Sequence, residues 1–214
     1  MCNHEEWFDK SISSSLNELS LSAVENLIFH RSKDLLATPK KFLEKKINLL
    51  KDNGTIDKFG VSVYQKDELE KVLAHIHVDF VQFPLNLLDR SFLTKNYLIE
   101  LKDKGLTLEA RSVFLQGLLL MDPSTIPNYF RPWIDKFQRL DTWLSQFNGA
   151  TRVNACISFV NSISEIDRIV IGVQKVKELK EIMQSLNTSL FTTYPEIAST
   201  EQSLVNPSFW QVKL

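Results

Sequence analysis

The chain has 214 residues, 43% hydrophobic and 24% charged, with a formal net charge of −1. That length and composition suit one sizeable domain over 1–214. The near-neutral balance leaves no electrostatic footprint for nucleic acid or an anionic membrane surface.

Two cysteines, Cys2 and Cys156, make no disulfide framework, and no CxxC occurs. The start, "MCNHEEWFDK", lacks the basic and apolar regions of a signal peptide. No apolar run nears the roughly 20 residues that cross a bilayer. The expectation is a cytoplasmic protein with reduced thiols.

In chain order, "WFDKSISSSLNELS" reads as a short amphipathic helix and "AVENLIFH" as a strand ending at His30. In "TPKKFLEKKINLLKDNG", Thr38 is placed to cap a helix, Pro39 suits its first turn and Gly54 its stop. Phe42, Leu43, Ile47 and Leu50 share one face of it. "IDKFGVSVY" is β-rich, and "KDELEKVLAHI" is a helix with Leu69, Val72, Leu73 and Ile76 as its stripe. "VDFVQFPLNLL" is a strand closed by Pro84, "TKNYLIELKDKG" a helix with a glycine stop, and "LTLEARSVF" a strand. A loop with Pro123 and Pro127 leads to helices near 131–147 and 152–163. "DRIVIGV" is the last strand and "KVKELKEIMQSL" the last helix. The tail, 188–214, has no period; its Phe191, Phe209 and Trp210 are expected to pack back onto the domain. No short repeat is visible.

Five strand–helix cycles in alternation predict an α/β fold, with parallel strands buried on both faces by right-handed crossovers. Two architectures fit, a doubly wound open sheet and a (β/α)8 barrel or part of one. A dinucleotide-binding open sheet carries a glycine-rich turn after its first strand, and the chain has no GxGxxG. A barrel places its chemistry at the C-terminal strand ends. Here those ends are polar: His30, Ser62, Gln82, Arg111 with Ser112, and Gly172. The barrel is the better fit.

From about Phe8 to Met183 these segments resemble the aldo-keto reductase family. "SLNELSLSAVENLIFHR" is similar to the family's helix and fourth strand, which ends in the catalytic histidine. "KDNGTIDKFGVSVY" resembles the region of the fifth strand, and "VDFVQFPLNLLDR" the sixth with its glutamine. "ARSVFLQGLLL" looks like the seventh strand and its cofactor loop, and "IDRIVIGVQKVKELKEIM" the eighth strand and pyrophosphate-side helix. Each motif alone is unspecific; five in family order are specific. The resemblance implies a partial TIM barrel of about five parallel strands with flanking helices, the first three βα units missing. It implies metal-free, reversible hydride transfer between NADP or NAD and a small-molecule carbonyl, through an Asp–Tyr–Lys–His tetrad. Only the histidine carries over, as His30, because the other three come from earlier barrel units. Ser62 and Gln82 match the residues that bind the nicotinamide carboxamide, with Val63 where an asparagine is usual. Arg111, followed by Ser112, stands where many members stack an aromatic, and a guanidinium plane also stacks. Leu115, Gln116 and Gly117 fall in the loop that wraps the pyrophosphate. Gly172 and the helix start with Lys175 and Lys177 are placed for a phosphate. No distinct arginine marks an adenosine 2′-phosphate, so NAD and NADP both stay open.

Apart from the resemblance, the same residues have plainer readings. His30 reads as a wet strand end, Ser62 and Gln82 as partners of backbone groups, and Arg111 as a partner of Glu109 or Asp89. Lys175 and Lys177 read as a solvated helical turn. Tyr64 follows its strand toward where a pocket would lie, but it is not expected to carry a chemical role. His75 and His77 have no third ligand near in sequence, so no metal site is expected. Two functions follow: a carbonyl oxidoreductase incomplete as this chain, or a non-catalytic barrel remnant acting through contacts. Open sheet edges favour self-association or a complementing N-terminal segment in the second case.

Overall fold

The computed structural model describes residues 4–186 and 191–212. Cys2 and positions 188–190 and 213–214 of the tail lie outside the described residues. The fold is α/β: five parallel strands, hydrogen-bonded in chain order and flanked by helices. The chain divides into two compact units, Met1–Gln82 and Phe83–Leu214.

The first unit holds α1 (His4–Leu19), β1 (Val24–Phe29), α2 (Ser32–Ala37), α3 (Lys40–Asp52), β2 (Ile56–Ser62), α4 (Lys66–His75) and the start of β3 (Phe80–Pro84). Strand β2 is its centre. It pairs with β1 from Val24↔Ile56 to Phe29↔Val61, and with β3 from Gly60↔Phe80 to Ser62↔Gln82. Ile56, Phe59 and Val61 are buried, as a strand covered on both faces requires. Gly60 has a steric reason: a Cβ there would lie 2.5 Å from the Phe80 ring. The ring packs flat over the bare backbone of its neighbour. Strand β1 departs from the expectation that every strand is buried. Only Phe29 is buried in it, because β1 ends the sheet order and pairs on one side alone.

Thr38 also departs from its expected role. It closes α2 instead of opening α3, its amide bonding the Leu35 carbonyl and its hydroxyl the Asp34 carbonyl. Pro39 takes the N-cap position of α3. A six-residue helix is too short to show a 3.6-residue period, so α2 was not legible.

The second unit runs from the end of β3 through α5 (Tyr97–Asp103), β4 (Thr107–Arg111), α6 (Ile134–Leu144), α7 (Arg152–Asn161), β5 (Arg168–Ile169), α8 (Val176–Leu186) and α9 (Gln202–Val205). Strands β4 and β5 pair at Glu109↔Arg168 and Ala110↔Ile169. β5 is only two residues long, shorter than "DRIVIGV" implied, and Val170 is already 40% exposed. Asn86 is fully buried and ties the turn after β3 to the end of β4. Its Oδ1 accepts the amides of Leu88 and Asp89, and its Nδ2 donates to the Ser112 carbonyl. Helix α7 starts at a reciprocal capping box between Thr151 and Asn154. In the tail, the Phe191 ring lies 4.7 Å from Trp143, and Trp210 meets Phe130 edge-on at 4.8 Å; Phe209 is 58% exposed.

A short repeat does exist, once structure points to it. "LKDNG" (50–54) ends α3 and "LKDKG" (101–105) ends α5. In both, the glycine has positive φ, +71° and +81°, and its amide bonds back to the lysine carbonyl. The following amide bonds the leucine carbonyl, which completes a Schellman motif. Each lysine then reaches an aspartate just before the strand after next, Lys51 to Asp79 before β3 at 2.6 Å and Lys102 to Asp167 before β5 at 2.7 Å. Those carboxylates also accept strand amides, from Phe59 and Leu108, both at 2.7 Å. Burial raises both carboxyls, but the lysine and the amide together outweigh it and hold each below its ordinary value. The device ties the start of β3 to α3 and β2, and the start of β5 to α5 and β4.

Candidate functional site

In the first unit the parallel register brings three expected residues to one level. Phe29 lies opposite Val61, so His30, one residue on, is level with Ser62, which lies opposite Gln82. All three are therefore at the C-terminal ends of adjacent strands. The Val63 amide donates to the Gln82 carbonyl at 2.9 Å, which extends the ladder beyond Ser62. Ser62 is buried, Gln82 half-buried and His30 exposed. The Glu68 carboxylate fixes the turn after β2 by accepting the Tyr64 amide at 3.0 Å and the Ser32 hydroxyl at 3.2 Å.

His30 also lines a groove of about 480 Å³ along α1 and β1, beside Phe8, Leu16 and Leu27. The groove is mostly apolar. Asn26 Oδ1 is buried in it and has no hydrogen-bond donor. His75 Nε2 lies 3.4 Å from the Thr38 carbonyl and His77 3.6 Å from Asp79. Among the described residues no three of His, Cys, Asp and Glu gather as a metal site.

In the second unit Ser112, Gln116, Gly117 and Gly172 line one groove of about 550 Å³. The loop after β4 shapes it by turning left-handed repeatedly: Ser112 has φ +56°, Leu115 +47°, Gln116 +55° and Gly117 +87°. Only the last of these is a residue type suited to that region. Tight bonds hold the loop, from the Leu115 amide to Ser112 O and from the Gly117 amide to Phe114 O. Leu115 points its side chain into the core. Arg111 and Lys175 do not line the groove. Arg111 Nη1 donates to Ser112 Oγ at 3.1 Å. Burial raises the Asp89 carboxyl, and the Ser91 bonds and the Arg111 charge only partly offset this. Glu109, the other acid considered for Arg111, receives Arg168 Nη1 at 3.3 Å.

A cofactor's phosphate-bearing portion fits this groove by size, since small-molecule sites run to about 300–1,000 Å³. A Cβ added at Gly117 or Gly172 would meet nothing within 4 Å, so a ligand can approach the bare backbone. Among the lining residues that the sequence did not single out is the one acid, Glu178. Its Oε2 accepts the Gln174 amide at 2.9 Å and the Lys175 amide at 3.3 Å. The available signal was a glutamate at the third position of α8, the place from which a carboxylate reaches back to cap a helix.

A model of the aldo/keto reductase family matches residues 1–200. Among solved structures, the chain is similar to aldo-keto reductase AKR11C1 from Bacillus halodurans. The apo form has a TM-score of 0.68 at 14% identity, covering 86% of this chain and 63% of that one. The holo form has a TM-score of 0.69 at 15% identity, covering 86% and 62%. The chain thus spans less than two thirds of that protein's length, and at these identities the likeness concerns the fold. No curated protein matches. With the family model covering nearly the whole sequence, this chain belongs to the aldo/keto reductase family.

Proposed function

We propose that the chain takes part in NAD(P)H-linked oxidoreduction of a small-molecule carbonyl in the cytoplasm. The level row His30–Ser62–Gln82 in an aldo/keto reductase family member carries the reading. A bound nicotinamide dinucleotide supplies the hydride. Ser62 and Gln82 offer a hydroxyl and an amide to orient a carboxamide, matching its donor and acceptor. His30 offers a ring N–H to a carbonyl oxygen, which polarises the carbon for attack and stabilises the developing alkoxide. Ser112, Gln116 and the bare backbone at Gly117 and Gly172 suit a phosphate-bearing group. The tetrad's aspartate, tyrosine and lysine are not among the positions matched to the family's motifs. The chain is therefore assigned cofactor binding and carbonyl orientation.

A second reading has its own observation. The apolar groove beside the one-sided edge strand β1 suits an added polypeptide strand. In that reading the chain is an interaction module that self-associates or accepts a complementing segment.

Steady-state aldehyde reduction with NADH or NADPH separates the two. A saturable rate that falls about tenfold or more in His30→Ala supports the oxidoreductase. Absence of both turnover and dinucleotide binding, with concentration-dependent association, supports the second reading.

A further inference from the structure

We infer that this chain associates head to tail, the exposed seam of α8 in one copy lying in the α1–β1 groove of the next; the inference rests on the interaction reading above and names the groove's occupant. Three observations converge on it. First, α8 is apolar on two sides. Its inner side is held by Ile182 and Ser185, both buried, with Asn154 Nδ2 donating to Ser185 Oγ at 2.8 Å. A surface helix ordinarily turns charge to solvent opposite its buried face. Here Val176 is 71% exposed, Leu179 44%, Met183 54% and Leu186 38%. Single exposed apolar residues are ordinary. These four instead repeat at alternating spacings of three and four, the a and d positions of a heptad, which is the pattern of a helix that packs on another surface.

Second, the groove fits the seam. At about 1.5 Å per residue, Val176 to Leu186 spans about 15 Å and Trp7 to Leu19 of α1 about 18 Å. From α1 the groove is lined by Trp7, Ser11, Ile12, Ser15, Leu16 and Leu19. Ser11 and Ser15, one turn apart, leave a notch that a row of larger side chains can enter. Trp7 and Leu19, near its two ends, are 49% and 59% exposed. Third, the charges are opposite. Lys175 and Lys180 take the g and e positions beside the seam, with Lys177 close by, and all three are exposed. The acids of α8 are engaged within their own chain, Glu178 with the Gln174 and Lys175 amides and Glu181 with Thr151 Oγ1 at 3.5 Å. Helix α1 carries Glu5, Glu6, Asp9 and Glu18 against Lys10, and stays net negative even with Lys46 paired to Glu5 and Asp9. Opposite charges at the rim steer and orient such a contact. One chain carries both seam and groove, so the contact is heterologous, and it adds copies until a ring closes or a chain grows.

The test compares the wild-type chain with a seam variant, Val176→Glu/Leu179→Glu, and a groove variant, Ser11→Arg/Ser15→Arg, by sedimentation velocity over a range of concentrations. Thermal melts check that each variant folds. The wild type should gain mass with concentration. Each variant alone should associate about tenfold or more weaker. An equal mixture of the two should form a one-to-one heterodimer and grow no further, because the seam variant keeps its groove and the groove variant keeps its seam. On the unaltered chain, carbodiimide coupling in a mixture of light- and heavy-nitrogen copies should join α8 lysines of one copy to α1 acids of another. A wild type that stays monomeric at every concentration overturns the inference and self-association with it. Association that the variants retain, a mixture of folded variants that stays monomeric, or coupling between copies only outside α1 and α8 overturns the inference and leaves the interaction reading to another occupant.

Discussion

Gly60→Ala is the sharpest test of how β2 and β3 hold their register. The added Cβ would lie 2.5–2.6 Å from Cζ, Cδ1 and Cδ2 of Phe80. Carbon atoms pack at about 3.5–4.0 Å, so the methyl would overlap the ring face by about 1 Å. Phe80 is 1% exposed and cannot swing away into solvent. Overpacking of this kind costs about 1–3 kcal/mol. Alanine recovers about 0.5–1 kcal/mol of the chain entropy that glycine loses on folding. The net is a destabilisation of about 1–2 kcal/mol, or a fall in Tm of about 2–8 °C for a chain of this size. Urea and thermal melts by circular dichroism measure it. Phe80→Leu removes the offending ring, so the double variant should be at least about 1 kcal/mol more stable than the two single losses summed. A Gly60→Ala protein as stable as the wild type, or losses that simply add, would refute the reasoning. Ser62 and Gln82 sit two register positions further along, so the same contact fixes their level.

Three further expectations follow from local chemistry. Asp79 and Asp167 titrate below the ordinary carboxylate range in the fold. Their contribution is therefore complete above the unfolded pKa of about 3.9 and is lost as pH falls through the lower folded value. Asp79→Asn should cost about 1–2 kcal/mol at neutral pH, Asp167→Asn less because its pair is more exposed, and the double variant should show a shallower acid transition. Equal acid sensitivity in the wild type and the double variant would count against the paired device. Burial pushes the Cys156 thiol up to about 12, so peptide mapping after alkylation at pH 8 should find Cys156 unmodified in the native chain and modified in denaturant. Rapid native labelling there would contradict its placement. Thr151→Ala should cost about 1 kcal/mol through loss of the α7 cap, with Thr151→Ser near neutral; a neutral alanine would mean the box contributes nothing.

Much of the fold was legible because its signals are local. Gly54 and Gly105 end their helices where the sequence placed the stops, and Pro84 ends β3. The polar strand ends His30, Ser62, Gln82 and Arg111 stood out because each follows an apolar run. What escaped depends on pairing distant in sequence. β5 shrinks to two residues because only Arg168 and Ile169 find ladder partners on β4. β1 reads like a buried strand, yet it lies at the edge of the sheet, which no local pattern encodes. The LKDxG repeat gains meaning only when Asp79 and Asp167 arrive beside Lys51 and Lys102. Glu178 did not stand out among the charges of its helix; its capping position follows from the direction of two backbone amides.

Calorimetric titration with NADH and NADPH, run on the wild type and on Ser62→Ala/Gln82→Ala, tests the central claim most directly. The account predicts saturable binding of at least one dinucleotide by the wild type. It predicts affinity about tenfold or more weaker in the double variant, because the two hydrogen-bonding side chains are gone, with a thermal melt checking that the variant still folds. Heat that never saturates with either cofactor, or an affinity that ignores the loss of both side chains, would contradict it.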